Sequence, residues 1–187
     1  TLEAQEQYET VRYVKQIAQY SYKMMKATIN LTEYGKLSFH TENFQFRRVN
    51  LNLLFQDICH SVQILLRNTE LEFHYHITAE PLISMIDEEK FLLAFMNLIS
   101  NSCAYSSPGN EVTVTLEKQR ANFVLTVSDH GVGIPSEHLP HIFEPFFSHD
   151  PNGSLYSGLG LGLPIVKLVA QAHKGNVYLS SEENKGT

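Results

Sequence analysis

A glycine-rich stretch at residues 157–167, SGLGLGLPIVK, constrains the fold of this chain more than any other part of the sequence. Its alternating glycines, Gly158, Gly160 and Gly162, stand directly before residues whose apolar side chains recur at helical spacing. Glycine has no Cβ atom, so its backbone N–H can approach an anion closely, and a helix N-terminus adds unpaired N–H groups and a positive dipole end. Pro164 is compatible with a first helical turn. The stretch predicts either a phosphate-binding loop at a helix N-terminus or an ordinary turn.

Length, composition and charge narrow the classes of protein that fit the rest of the chain. With 187 residues, 43% of them hydrophobic, the chain can bury a core, and its length fits one domain with an appendage. The formal net charge of -6 argues against broad nucleic-acid binding, which needs basic patches. We therefore expect a globular protein with no nucleic-acid partner.

The two cysteines and the hydropathy pattern bear on the compartment. Cys59 and Cys103 each lie in an apolar stretch that predicts a helix, so two free thiols are expected rather than a disulfide. No apolar run approaches the roughly 20 residues that span a bilayer, and no signal peptide opens the sequence. We expect a cytoplasmic domain, and a membrane anchor outside the segment from Thr1 to Thr187 is left as an open alternative.

The N-terminal segment predicts a long helix. Residues 3 to about 31 contain neither proline nor glycine, and their apolar side chains recur every three to four residues on more than one side. Such a helix should pack against other helices, and the alternative is a helix folded back on its own domain. Gly35 is expected to end the helix as a left-handed cap, and we place a domain boundary there.

Strand and helix patterns alternate through the middle of the chain. Period-two alternation predicts short strands, and Asn50 and Asp87 are side chains that can cap helices. The sequence thus predicts strands at residues 44–49, 71–77 and 82–86, helices at 51–66 and 87–105, and a hairpin of 112–116 and 123–127.

Two asparagines interrupt the apolar run of the second of these helices. Asn97 and Asn101 lie four residues apart and therefore share a face. Carboxamides are costly to bury without hydrogen bonds, so the pair indicates either a buried polar network or a ligand-facing edge. An asparagine carbonyl oxygen is also a hard donor that suits magnesium.

An acidic residue followed by spaced glycines, DHGVGIP at residues 129–135, stands at the end of the second hairpin strand. Ligands commonly bind at strand ends in α/β sheets. The Asp129 carboxylate could accept an N–H group of a base, and Gly131 and Gly133 would let a flat ring approach the backbone. The alternative is an ordinary Asp-Gly turn.

The order and spacing of four segments resemble the N, G1, F and G2 boxes of sensor histidine kinases, at residues 97–101, 129–133, 141–147 and 158–162. The resemblance covers residues 46–187, the ATP-binding catalytic domain of that family. It implies the Bergerat ATP-binding fold, an α+β two-layer sandwich with a mixed sheet of about five strands and helices on one face, preceded by the long helix. Residues 1–35 resemble the incomplete second helix of the dimerisation domain, which leaves residues 36–187 as the catalytic domain.

The resemblance also implies roles for single residues. Asp129 would bind the adenine amino group, Asn101 would hold Mg²⁺, and Asn97, as the catalytic residue, would help to place the phosphates. Residues 136–157 would form a lid over ATP, docked by its phenylalanines. The other implied ATP-binding residues are Tyr105, Gly131, Gly133, Ile134, Phe143, Gly158, Leu159, Gly160, Leu161, Gly162 and Leu163.

Three residues depart from the family pattern. Many members carry a basic residue before the N-box tyrosine, where this chain has Ala104. Leu159 stands where the G2 box usually has a small hydroxyl residue, and Pro164 is also uncommon. These departures bear on catalytic rate more than on nucleotide binding.

By resemblance the chain is the catalytic part of a protein-histidine kinase of two-component signalling, which transfers the γ-phosphoryl group of ATP to a histidine. None of its nine histidines stands in the family's acceptor context, so the acceptor is expected outside this sequence. The implied partners are ATP with Mg²⁺, a response regulator protein, and a second kinase copy paired through the N-terminal helix. Two alternatives are an ATPase of the related gyrase and chaperone group, which uses a glutamate at the position of Asn97 as general base, and a degenerate kinase that only binds nucleotide.

Overall fold

A computed structural model describes residues 2–39, 43–67, 69–120, 122–148 and 159–187 of the chain. Within these residues a long helix precedes a two-layer arrangement of strands and helices. The elements in chain order are α1 (Leu2–Ser38), β1 (Arg47–Asn50), α2 (Leu51–Leu66), β2 (Glu72–Ile77), β3 (Ile83–Ile86), α3 (Glu88–Tyr105), β4 (Glu111–Gln119), β5 (Asn122–Asp129) and α4 (Gly162–Ala172). Every helix and strand that the sequence predicts is present, with its ends shifted by a few residues.

Strands β2, β4 and β5 form a mixed sheet that helices cover on one face. β2 pairs in parallel with β4, and β4 pairs antiparallel with β5, while β1 and β3 form a separate antiparallel ribbon. On β4, Val112, Val114 and Leu116 are completely buried in the same core as side chains of α2 and α3, as period-two alternation requires. The predicted two-layer α+β fold is confirmed, and its five described strands divide into a three-stranded sheet and a two-stranded ribbon.

Local capping signals set where α2 and α3 begin. The Asn50 side-chain oxygen accepts hydrogen bonds from the backbone N–H groups of Asn52 and Leu53, at 3.1 and 3.4 Å. The Asp87 carboxylate accepts one from the N–H of Lys90 at 3.1 Å. Each cap satisfies N–H groups that the first helical turn leaves unpaired and contributes about 1 kcal/mol. Both predicted helix starts are confirmed.

Two apolar clusters hold the layers together. The larger lies between the sheet and helices α2 and α3, where the rings of Phe55 and Phe95 meet edge to face with their centroids 5.2 Å apart. The smaller joins α4 to the C-terminal end of α1, where Leu37 shares a cluster with Ile165 and Val169. The last turns of α1 are therefore part of the core.

The predicted end of α1 at Gly35 is wrong, because the helix continues through Ser38. The backbone N–H of Phe39 donates to the carbonyl oxygen of Gly35 at 3.1 Å, so Gly35 lies inside the hydrogen-bonded helix. A glycine inside a helix costs about 1 kcal/mol relative to alanine. Leu37, only 6% exposed, offsets this cost, since a buried leucine side chain contributes about 1.5–3 kcal/mol.

The N-terminal part of α1 presents apolar side chains to solvent. Although α1 has 37 residues, neither it nor any other helix in the described ranges is apolar enough over a sufficient length to cross a membrane. The exposed apolar side chains in this part are 49% to 72% exposed. They are Val11, Tyr13, Val14, Ile17, Tyr20, Tyr22, Met24 and Met25.

Cys59 lies in the larger cluster at 0% exposure, and burial raises the pKa of its thiol from 9.0 to about 12. Because the unfolded thiol ionises at the ordinary pKa, stability from this group is fully present below pH 9.0 and is lost as the pH rises towards 12. We predict that a change from about pH 8 to about pH 10 lowers the unfolding free energy of the wild type by about 1.4 kcal/mol more than that of Cys59→Ala. Urea titrations at both pH values measure the difference, and equal losses in the two proteins would contradict the prediction.

Candidate functional site

The glycine-rich loop enters α4 without a side-chain cap. Leu161, the residue before the helix, is apolar and 1% exposed, and its side chain accepts no hydrogen bond. Gly160 has a φ of +66°, and a Cβ atom there would lie 2.3 Å from the carbonyl oxygen of Phe147, so the loop can take this path only with glycine. Gly162 is the first residue of α4, as predicted, whereas Gly158 lies outside the described residues. The uncapped N–H groups and the dipole of α4 favour an anion at this point.

The two asparagines of α3 have different surroundings. Asn97 is 3% exposed, its Oδ1 accepts a hydrogen bond from Asn30 Nδ2 at 3.0 Å, and its Nδ2 donates to the carbonyl oxygen of Leu93 at 3.0 Å. Asn101 is half-buried, and among the described residues its side chain has no hydrogen-bond partner. A Cβ atom on Gly162 would lie 3.1 Å from Asn97 Oδ1 and 3.7 Å from Asn101 Nδ2. The loop before α4 therefore meets α3 at both asparagines.

Asp129 ends β5 as a largely buried acid. It is 8% exposed, and its Oδ1 accepts the backbone N–H of Gly131 at 3.0 Å. Within the described part of the chain, its second carboxylate oxygen has no hydrogen-bond partner. This oxygen belongs to a largely buried carboxylate that lines the cavity, so it could accept a hydrogen bond from a ligand there.

Two neighbouring segments hold Asp129 and the turn after it. The backbone of Asp129 exchanges hydrogen bonds with that of Thr187, at 2.8 and 3.2 Å. In the turn, the N–H of Val132 donates to the carbonyl oxygen of Tyr105 at 3.1 Å, and the N–H of Ile134 donates to Ser181 Oγ at 2.8 Å. The end of α3 and the C-terminal segment thus fix the position of the acid.

Helix α1 contributes two polar side chains that sequence reasoning did not single out. Asn30, 8% exposed, bonds to Asn97, and Lys26 Nζ donates to Ser100 Oγ at 2.5 Å. Burial lowers the pKa of the Lys26 ammonium, an effect that the nearby thiol of Cys103 partly opposes. Both contacts join residues more than 60 positions apart, and helical periodicity alone does not show which helix α1 packs on.

Most of the predicted site residues line one open cavity. Those that do are Asn97, Asn101, Tyr105, Asp129, Gly133, Ile134, Leu159, Gly160, Leu161, Gly162 and Leu163. Gly131 acts on the site through its hydrogen bond to Asp129. Phe143 lies elsewhere, with the Lys167 ammonium 5.7 Å from its ring centroid.

The described part of the predicted lid is tied to the glycine loop. Phe146, which has a φ of +64°, donates its backbone N–H to the carbonyl oxygen of Gly160 at 3.1 Å. The ring of Phe147 lies against those of His138 and His141, with centroids 5.6 and 5.8 Å apart. The later part of the predicted lid, residues 149–157, lies outside the described residues.

The polar groups around the cavity match the groups of a nucleotide bound with magnesium. The free oxygen of Asp129 suits an exocyclic amino group, and the N-terminus of α4 suits phosphates. The carboxamide of Asn101, which bonds to none of the residues that the structure describes, offers the hard oxygen that Mg²⁺ prefers. These residues fit a nucleotide whose base carries an exocyclic amino group, together with a divalent cation.

Comparisons with known proteins agree with this chemistry. The family described as histidine kinase-, DNA gyrase B-, and HSP90-like ATPase matches residues 86–187. Hybrid signal transduction histidine kinase D of Dictyostelium discoideum is 32% identical over 169 residues, which are 87% of this chain and 11% of that protein. The chain spans between 11% and 27% of the length of the first curated relatives that it matches.

Two solved structures of histidine kinases have the same fold. The mycobacterial sensor histidine kinase MprB superposes with a TM-score of 0.57 at 29% identity, covering 70% of this chain and 81% of that one. The histidine kinase ThkA in complex with the response regulator protein TrrA gives a TM-score of 0.69 at 20% identity, over 94% of this chain and 48% of that one. The chain therefore belongs to the family of histidine kinase-, DNA gyrase B- and HSP90-like ATPases, and within it resembles the ATP-binding domain of sensor histidine kinases.

Proposed function

We propose that the chain is the ATP-binding catalytic domain of a protein-histidine kinase, which transfers the γ-phosphoryl group of ATP to a histidine outside residues 1–187. The observation that carries the proposal is that Asn101 lies beside Gly162 of the glycine loop and that both line one cavity with Asp129. Membership of the family and similarity to sensor histidine kinases support it.

Each group would have a separate task in the transfer. Asp129 would accept the adenine amino group, and the N–H groups before and within the first turn of α4 would hold the phosphates. Asn101 would hold Mg²⁺, which when bound neutralises phosphate charge. Because phosphoryl transfer needs little covalent chemistry from the protein, catalysis would come from placing ATP in line with the acceptor and from excluding water.

Asn97 favours transfer over hydrolysis by water. The related ATPases use a carboxylate at this position as general base, and a carboxamide cannot accept a proton in that way. Both polar atoms of Asn97 are also engaged, by Asn30 and by the carbonyl oxygen of Leu93. Slow ATP hydrolysis is therefore expected, and fast hydrolysis that disappears in Asn97→Ala would favour the ATPase alternative.

Helix α1 is proposed as the second helix of a dimerisation domain, with residues 36–187 as the catalytic domain. Its exposed apolar side chains support pairing with a first helix and with a second copy of the kinase, as in a four-helix bundle. A response regulator protein is the proposed acceptor of the phosphoryl group from the histidine, as the ThkA and TrrA complex suggests. A cytoplasmic location is part of the same proposal.

The deciding experiment adds a dimerisation helix that carries an acceptor histidine in front of residue 1 and follows labelled γ-phosphate. We expect protein-bound label that is labile in acid and stable in alkali, which marks phosphohistidine. The matched control has the histidine of that added helix replaced by glutamine and should carry no label. Binding of ATP without any protein label would favour the nucleotide-binding module instead.

Asn101→Ala is predicted to remove the contribution of magnesium to ATP affinity and to leave the affinity for metal-free ATP unchanged. Without magnesium, ATP affinity should stay close to that of the wild type, because the Asn101 carboxamide bonds to no other described residue. The gain in affinity that magnesium gives to the wild type should be lost, since the hard oxygen ligand is gone. Calorimetric titrations with magnesium and with a chelator measure both quantities.

The opposite pattern for Asn101→Ala is equally informative. An equal loss of affinity with and without magnesium would make Asn101 a direct nucleotide contact or a structural residue. Asn176→Ala is a suitable control, because it removes a carboxamide that lines the same cavity beyond the end of α4.

A further inference from the structure

Lys26 of α1 brings a positive charge onto the face of α3 that carries the site asparagines. Its Nζ donates to Ser100 Oγ at 2.5 Å, and Ser100 stands between Asn97 and Asn101 on α3. Lys26 lines the same cavity as both asparagines and the loop of residues 160–162. An ammonium has three donors, and the Ser100 hydroxyl takes one of them.

Ala104 lies one helical turn after Ser100, on the same side of α3. It also lines the cavity, and it occupies the position at which many sensor histidine kinases carry a basic residue. Position 104 therefore carries no cation. Lys26 of α1 supplies one that is bonded to Ser100, one helical turn before Ala104.

We propose that Lys26 binds the phosphates of the nucleotide and replaces the missing cation at position 104. The inference rests on the proposed function, since it needs ATP in this cavity. A triphosphate carries several negative charges and the formal net charge of the chain is -6, so a nearby cation would stabilise the bound nucleotide. Charge-assisted hydrogen bonds to phosphate are among the stronger polar contacts.

Lys26 is better placed for this task than Lys23, one turn earlier on α1. Lys23 also lines the cavity, but its Nζ stands 5.9 Å from the ring centroid of Tyr20. Lys26 is tied to α3 by a hydrogen bond, so its ammonium loses less freedom when it binds a phosphate. The two lysines form a matched pair for mutation, with the same side chain on the same helix.

The test compares ATP and adenosine binding in the full chain, by calorimetry with a chelator present so that no metal masks the protein's own cation. Lys26→Met should bind ATP roughly 10-fold more weakly than the wild type and adenosine equally well. Lys23→Met should bind both ligands like the wild type. Lys26→Arg should keep ATP affinity, and adding Ala104→Lys to Lys26→Met should restore most of it.

Four results would overturn the inference. Unchanged ATP affinity in Lys26→Met would show that its ammonium does not contact the phosphates. Tighter ATP binding by that variant would show that α1 obstructs the cavity. An equal loss for ATP and adenosine would make Lys26 a structural residue. Absence of ATP binding by the wild type would overturn the proposed function and this inference together.

Discussion

Replacing Glu33 by glutamine is expected to lower the unfolding free energy by about 2 kcal/mol. Lys90 on α3 is 4% exposed, and its Nζ lies 2.5 Å from Glu33 Oε2 on α1. The carboxylate of Glu89 also lies 3.9 Å from the Lys90 Nζ, but its side chain is 87% exposed and screened by water. Glu33→Gln replaces a short charged contact to a buried ammonium by a neutral one, and hydrogen bonds to charged groups contribute about 1.5–3 kcal/mol.

Urea unfolding measures the effect, with Lys36→Met as the matched control. Lys36 is the other cation bonded to Glu33, at 2.8 Å, but its side chain is 45% exposed. Breaking this second pair should therefore cost less than about 1 kcal/mol. If Glu33→Gln costs no more than Lys36→Met, the buried pair does not hold α1 on α3.

The same carboxyl makes the docking of α1 sensitive to acid. Burial alone would raise the pKa of Glu33, but hydrogen bonds and charges from Lys36 and Lys90 outweigh it and lower the pKa below its usual 4.5. Stability from this group is then fully present above pH 4.5 and is lost as the pH falls through the lowered native pKa. Glu33→Gln should remove this part of the acid dependence.

Features that depend on a few adjacent residues could be predicted from the sequence. Asn50 and Asp87 cap helices through side chains that bond within three residues, so a local pattern is sufficient. Alternating glycines before an apolar pattern of helical spacing also predict the loop before α4, where Gly160 adopts a φ of +66°. The two-layer fold and most of the cavity lining were implied instead by the resemblance of four segments, at residues 97–101, 129–133, 141–147 and 158–162, to the boxes of sensor histidine kinases.

Features that depend on the packing of distant helices could not be predicted in this way. Gly35 has the chemistry of a helix end, but burial of Leu37 against α4 carries the helix past it. Lys26 and Asn30 look like ordinary polar positions of a long helix until α1 is placed on α3. Their roles arise from tertiary contacts, which a period of 3.6 residues does not specify.

Asp129→Asn is expected to weaken ATP binding by roughly 1.5–3 kcal/mol, about 10- to 150-fold in affinity. The carboxylate oxygen that is free of partners among the described residues would otherwise form a charge-assisted hydrogen bond to the adenine amino group. The amide keeps one oxygen, which can still accept the N–H of Gly131, so the turn after β5 should stay in place. The loss would then report on the base and not on unfolding.

The choice of nucleotide makes this prediction sharper. Guanine carries a carbonyl oxygen where adenine carries the amino group, so a carboxylate at position 129 should reject GTP, whereas an amide can donate a hydrogen bond to that oxygen. Asp129→Asn should therefore shift the ratio of ATP to GTP affinity towards GTP, and Asp57→Asn, an exposed position on α2, should leave the ratio unchanged. Calorimetry with both nucleotides measures the ratio. An unchanged ratio would mean that Asp129 does not contact the base, even if ATP affinity falls.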